Sequence, residues 1–203
     1  MMEMIKIYFF IFLGVVIFLV IVILMIIWGV TYGTPKERAG RQGEKRATEI
    51  IKQVLREDDI LFTNVCIDYE EKEAELDNVI INRKGVFIVE VKNYSGELVG
   101  REDDYEWVKY KTSRGGNIYS KQVRNPIKQV RRQVHILAYY LKSYGINVWV
   151  EGYVLLVNNN SPVHNGTVLE SLEEIDRAIH SRSYDSLGEE NVIGIKKLLS
   201  ERV

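Results

Sequence analysis

Three residues of this chain have the types and spacing that metal-assisted chemistry requires: Asp77, Glu90 and Lys92. Glu90 and Lys92 are two positions apart, so on a strand both side chains leave the same face. Between Asp77 and Lys92 run two β-branched apolar stretches, Val79–Ile81 and Val86–Val91, joined by the turn residues Asn82-Arg83-Lys84-Gly85. That pattern predicts a β-hairpin, and antiparallel pairing then brings Asp77 beside Glu90 and Lys92. Two carboxylates and an ammonium at one end of a hairpin make a divalent-metal site with a neighbouring cation. On a solvated strand, Glu-x-Lys is ordinarily a weak surface ion pair. Here Ile88-Val89-Glu90-Val91 is nearly continuous in apolar character, which suits a strand covered on both faces. A carboxylate in that setting must be paired or bind a metal.

The elements around the hairpin supply further candidates. Residues 41–56 read as a helix, with Ala47, Ile50, Ile51, Val54 and Leu55 forming one apolar stripe. Glu44 shares the inward side of its first turn. It is either a partner for the helix dipole or a third carboxylate aimed at the hairpin, and Gly40 and Gly43 would permit close backbone approach there. Asn125-Pro126 opens a second main helix, whose buried stripe is Ile127, Val130, Val134, Leu137 and Leu141, with Gln129, Arg132 and Gln133 on its flank. Ile60–Ile67 and Val148–Val157 are strand candidates, and Asp68–Glu75 reads as an acidic, solvated connection. Glu97–Arg101 is expected to continue the sheet, with a strand at Trp107–Tyr110 in which Trp107 is a core anchor. Two covering helices follow, at Glu170–His180 and Glu189–Glu201. This order predicts an α/β domain around a central mixed sheet. The sequence contains no Gly-rich phosphate loop, zinc-ligand spacing or nucleophile elbow.

Charge is uneven although the 203-residue chain carries a formal net charge of only −1. No acidic residue lies between Lys109 and Val150, a stretch containing Lys109, Lys111, Arg114, Lys121, Arg124, Lys128, Arg131, Arg132 and Lys142. A basic block of this kind is a solvated face or a polyanion footprint, with Lys128, Arg131 and Arg132 the candidate phosphate contacts. Membrane phosphate is the rival partner.

At the N-terminus no charged residue occurs from Ile7 to Pro35, and Ile7–Ile27 is almost wholly aliphatic or aromatic. A bilayer-spanning helix takes roughly 20 apolar residues, so residues 7–30 are expected to form an uncleaved membrane anchor with Trp28 and Tyr32 in the interface belt. Lys36, Arg38, Arg41, Lys45 and Arg46 follow it, against Lys6 alone upstream. That asymmetry places the N-terminus outside and the following domain in the cytoplasm. The expected organisation is an anchor over residues 1–35 and an α/β domain over 36–203. The single cysteine, Cys66, excludes an intrachain disulfide and is expected in the core.

Asp77, then Glu90-Val91-Lys92 across a hairpin, preceded by a helical Glu44, resembles the PD-(D/E)xK nuclease signature. More narrowly, the chain resembles the nuclease-related domain (NERD) family. The matching pieces are Gly40-Arg41-Gln42-Gly43-Glu44, Glu75-Leu76-Asp77, Gly85 to Gly96, Trp107 and Asn125-Pro126-Ile127-Lys128-Gln129, within roughly 38–157. The resemblance implies a restriction-endonuclease-like fold and phosphodiester hydrolysis dependent on Mg²⁺ or Mn²⁺. It implies Asp77 and Glu90 as metal ligands and Glu44 as a further ligand, directly or through water. By the same carry-over Lys92 orients or activates the attacking water and Gln129 lines the substrate side. Leu76 stands where the motif's name has Pro, and Asn78 where relatives often carry His. The implied partner is nucleic acid, DNA favoured over RNA. The alternative is a catalytically idle, membrane-tethered nucleic-acid-binding or protein-docking module of the same fold.

Overall fold

The computed structural model describes residues 2–32, 35–181 and 187–203, with side chains in the first two helices described at 4, 8, 11–25, 40 and from 42 onward. In chain order the elements are α1 (Met2–Tyr32), α2 (Pro35–Lys52), β1 (Ile60–Tyr69), β2 (Lys72–Asn82), β3 (Gly85–Lys92) and β4 (Glu97–Val99). They continue with β5 (Glu106–Thr112), β6 (Ile118–Arg124), α3 (Pro126–Ser143), β7 (Val150–Leu156), β8 (Val168–Leu169), α4 (Leu172–His180) and α5 (Glu189–Ser200). Two compact units result, Met1–Arg41 and Gln42–Val203.

In the second unit the expected hairpin is the middle of a mixed five-stranded sheet of order β1-β2-β3-β7-β8. β1, β2 and β3 are antiparallel neighbours, while β7 runs parallel to β3 and β8 parallel to β7. α3 is the crossover that lets the chain return for a parallel strand. β3 is buried from Gly85 to Val91 and feeds two cores. Val86 and Ile88 join Ile127, Val130 and Leu137 of α3 on one side. Phe87, Val89 and Val91 join Ala47 and Ile51 of α2 and Ile175 and Ile179 of α4 on the other. The α/β class with a mixed sheet flanked by helices is therefore as the sequence predicts.

Three readings are corrected. The acidic segment is not a connection: β1 and β2 pair through it to Tyr69↔Lys72, and Glu70 and Glu71 make the turn with φ of 46° and 60°. Strand alternation with Ala74 and Leu76 inward explains why solvated acids extend a strand there. The segment after β3 does not continue the main sheet but builds a separate one of order β4-β5-β6, whose basic strand β6 has too few buried positions to show a strand pattern in sequence. Cys66 is exposed, because Val65 and Ile67 take the inward positions of β1. On the expected membrane anchor, among the described residues no helix is long and apolar enough to cross a membrane. Lys6, Trp28, Tyr32, Lys36, Arg38 and Arg41, on which orientation rested, have side chains outside the described residues.

The small sheet is fastened to the main unit by side-chain amides. Asn125, fully buried, N-caps α3 by accepting from the Ile127 N–H at 2.9 Å. Its Nδ2 donates to the carbonyls of Glu102 and Asp104 at 2.9 and 2.8 Å. Trp107 is fully buried, its indole N–H donating to the Arg101 carbonyl at 2.9 Å.

Candidate functional site

The Asn78↔Val89 register sets Asp77 level with Glu90. At that level the strands change phase. Val79 and Ile81 point into the α3-side core, yet so do Leu76 and Ala74; on β1, Ile60 and Phe62 are followed by Val65 and Ile67. The ladder between β1 and β2 passes from Thr63↔Asn78 to Val65↔Leu76 with no pair for Asn64 and Asp77. Asn64 has φ 55°, a left-handed conformation that Asn tolerates better than most residues. This kink removes Asp77 from regular alternation and turns its carboxylate toward β3, where Oδ2 accepts the Val91 backbone N–H at 2.7 Å.

Glu90 is 1% exposed, so its charge must be compensated by neighbours. Oε1 accepts from Gln129 Nε2 at 2.5 Å and from the Lys92 ammonium; Oε2 accepts from Gln133 Nε2 at 2.6 Å. Gln133 Nε2 also donates to the Glu75 carbonyl at 2.9 Å, which ties α3 to β2 just before Asp77. Both of those neighbours are acceptors, which fixes which end of the Gln133 amide faces them. Its Oε1 is buried with no hydrogen-bond partner among the described residues.

Electrostatics mark the same cluster. Asp77 is pushed up to about 7, chiefly by burial and then by the Glu90 charge, against the Val91 N–H and Lys92, with Glu44 raising it further. Burial acts to lower the Lys92 ammonium, but Glu90, Tyr94 and Asp77 outweigh it and its pKa rises. Lys92 is therefore a cation at neutral pH, suited to donating hydrogen bonds and offsetting negative charge rather than to taking a proton. Tyr94 is raised by burial and by Glu90, against Lys92, and so belongs to the same field.

Of the residues expected from sequence, Asp77, Glu90, Lys92 and Gln129 lie together, with Glu44 in electrostatic reach of Asp77. α2 is brought close by Gly43, where a Cβ would lie 2.6 Å from Asn93 Cβ. Lys128 and Arg132 lie on α3, Arg132 exposed and Lys128 half-buried. Arg131 is engaged otherwise: its guanidinium pairs with Glu102, just upstream of the acid-free stretch. Sequence reasoning put Gln133 on a flank and missed its hold on Glu90. It also missed Asn78, 1% exposed, which accepts from Thr48 Oγ1 at 3.0 Å and so joins β2 to α2. The four-residue spacing from Gln129 to Gln133 was the available signal, since it puts both amides on one helix face.

The donor set suits a hard divalent cation. Burial and then the Glu90 charge hold Asp77 up at about 7, and carboxylate oxygen ligands match Mg²⁺ or Mn²⁺. Among the described residues no group of three or more His, Cys, Asp or Glu side chains is placed to hold a metal. An ion here would rely on Asp77, Glu90 and water, as Mg²⁺ commonly does. A cavity of about 510 Å³ lined by Glu151, Tyr153, His164 and Glu170 contains none of the cluster residues.

Residues 39–157 match the nuclease-related domain family, NERD. No curated protein and no solved structure matches the chain. The family match spans more than half the sequence and contains the whole Asp77–Glu90–Lys92 cluster with both glutamines, so the chain belongs to the nuclease-related domain family.

Proposed function

We propose that this protein is a metal-dependent nuclease that hydrolyses phosphodiester bonds of nucleic acid, DNA in preference to RNA, with little sequence specificity. The single observation that carries the reading is the convergence of half-buried Asp77 and buried Glu90 beside a protonated Lys92. The arrangement of α2, β1–β3, α3 and β7 supports the restriction-endonuclease-like fold that the PD-(D/E)xK resemblance implies.

Asp77 and Glu90 would hold Mg²⁺ or Mn²⁺, with Glu44 supporting it through water. When bound, the ion supplies charge neutralisation at the scissile phosphate and a more acidic attacking water. The protein's own residues do the remaining work. The Val91 N–H fixes one Asp77 oxygen. Gln129 and Gln133 hold the Glu90 carboxylate in orientation and replace the water it loses on burial. Lys92 donates toward the attacking water and the phosphate oxygens, where charge builds in the transition state. Phosphate contacts by lysine and arginine position the strand without reading bases.

Calorimetric titration of the purified chain with Mg²⁺ or Mn²⁺ tests the site. Binding is expected in the native protein and its loss in both Asp77→Ala and Glu90→Ala; unchanged affinity in both variants would displace the site. One observation favours a second reading, an idle binding module: both Glu90 oxygens are engaged by Gln129, Lys92 and Gln133. Nucleic-acid binding without cleavage at any metal concentration is what that reading expects.

Membrane attachment of the N-terminal unit is proposed on separate grounds. The described α1 side chains 11–25 carry no charge, and apolar groups are exposed around the helix, Phe12 at 68% and Met25 at 67%. A helix apolar on all sides needs an apolar surrounding. The flanking charges support an outside N-terminus and a cytoplasmic domain. Protease added outside intact cells is expected to spare the domain; its digestion would overturn that orientation.

A further inference from the structure

The β4-β5-β6 sheet sorts its charge by face. Cross-strand partners share a face, so the pairs Trp107↔Val123, Lys109↔Lys121 and Lys111↔Tyr119, with Leu98 opposite Lys109, lie on one side. That side is apolar where Trp107 and Leu98 are buried, then continues outward as three lysines and a tyrosine with no acid. The sheet's acids, Glu97 and Glu106, are on the other side, opposite Tyr110 and Arg124. Lys109 and Lys121 stand directly opposite one another on that face.

The lysine face is continuous with the candidate site. Lys109 Nζ lies 5.4 Å from the centre of the Tyr94 ring, and Tyr94 shares the field of Glu90 and Lys92. Position is held by Asn160 Nδ2, which donates to the carbonyls of Tyr94 and Gly96 at 2.9 and 2.6 Å, and by Asn125. Gly96, at φ 97°, admits no Cβ, since one would lie 2.1 Å from the Tyr110 carbonyl oxygen, so the strand enters tightly against β5. On α3, Arg131 is tied to Glu102.

We propose that the face bearing Lys109, Lys111, Lys121 and Tyr119 is the track on which a nucleic-acid strand lies as it enters the Asp77–Glu90–Lys92 site. The lysines contact successive phosphates, and Tyr119, 54% exposed, offers a ring on which a base stacks. The track, and not α3, carries most of the electrostatic binding. This rests on the nuclease reading for its direction toward the site, but the binding itself is measured without metal.

The test uses the full purified chain in EDTA with a labelled single-stranded oligodeoxynucleotide and its duplex, titrated over a range of salt. Lys111→Ala with Lys121→Ala changes one half-buried and one exposed side chain and is expected to weaken binding about tenfold or more and to reduce the salt slope by about 1.4 on the single strand. Lys128→Ala with Arg132→Ala is expected to cost less, and Tyr119→Ala to weaken single-strand binding more than duplex binding. Unchanged affinity and slope in the Lys111/Lys121 variant would overturn the track, as would loss of binding to phosphatidylserine vesicles with oligonucleotide binding intact. Lys111/Lys121-dependent binding by a protein that cleaves nothing in Mg²⁺ would support the track while sinking the enzymatic reading.

Discussion

At the scale of single residues, Asp77 is displaced far from the ordinary carboxylate range. A carboxyl raised to about 7 by burial and by Glu90 binds its proton more tightly in the folded than in the unfolded chain. Its stabilising contribution is present below the ordinary carboxylate range, near pH 4, and is lost as pH rises through about 7. In EDTA the native protein should therefore lose stability between pH 5 and 8, and Asp77→Asn should flatten that slope. Thermal melts across the range would show it, with the variant gaining on the order of 1–2 kcal/mol at pH 8. A slope identical in both proteins would mean Asp77 is not the raised group. The same shift makes metal and proton compete. Mg²⁺ added near pH 7 in weak buffer should release protons, and the release should vanish in Asp77→Asn.

At the scale of elements, the kink in β1 and β2 and the close seat of α2 place the carboxylates. Gly43→Ala would drive a methyl into Asn93 and push α2 and Glu44 from the end of β3. A cost of about 1–3 kcal/mol is expected, read by denaturant melts. Asn125→Ala removes a helix cap and the amide bonds to the loop before β5, and should cost about 2 kcal/mol or more. The hairpin, its cluster and both flanking helices were legible in sequence because β-branched runs, a turn and helical spacing all agreed. The kink was legible only in outline: Phe62 to Val65 and Leu76 to Val79 are three apart where a strand has two. A spacing of three reads as a lapse in pattern unless the Asn64 backbone is known. The β6 strand was hidden for a different reason, since its side chains are nearly all exposed and no apolar alternation records it. The role of Gln133 was concealed by chemistry, because an amide on a helix flank gives no sign of the buried carboxylate it meets.

At the scale of the whole molecule, the second unit combines a buried carboxylate pair, a fixed cation and a lysine-bearing sheet around one end of the β2–β3 hairpin. That combination is what phosphodiester hydrolysis needs, and each part fails differently when removed. The most direct measurement is Mg²⁺-dependent cleavage of labelled single- and double-stranded DNA by the purified chain, with Lys92→Ala beside it and binding measured in parallel. Cleavage by the native protein is expected to fall at least a hundredfold in Lys92→Ala with affinity within a few-fold of native, about 3 kcal/mol taken from the transition state alone. Cleavage that persists undiminished without Lys92, or native protein that binds DNA and never cuts it, would contradict the account.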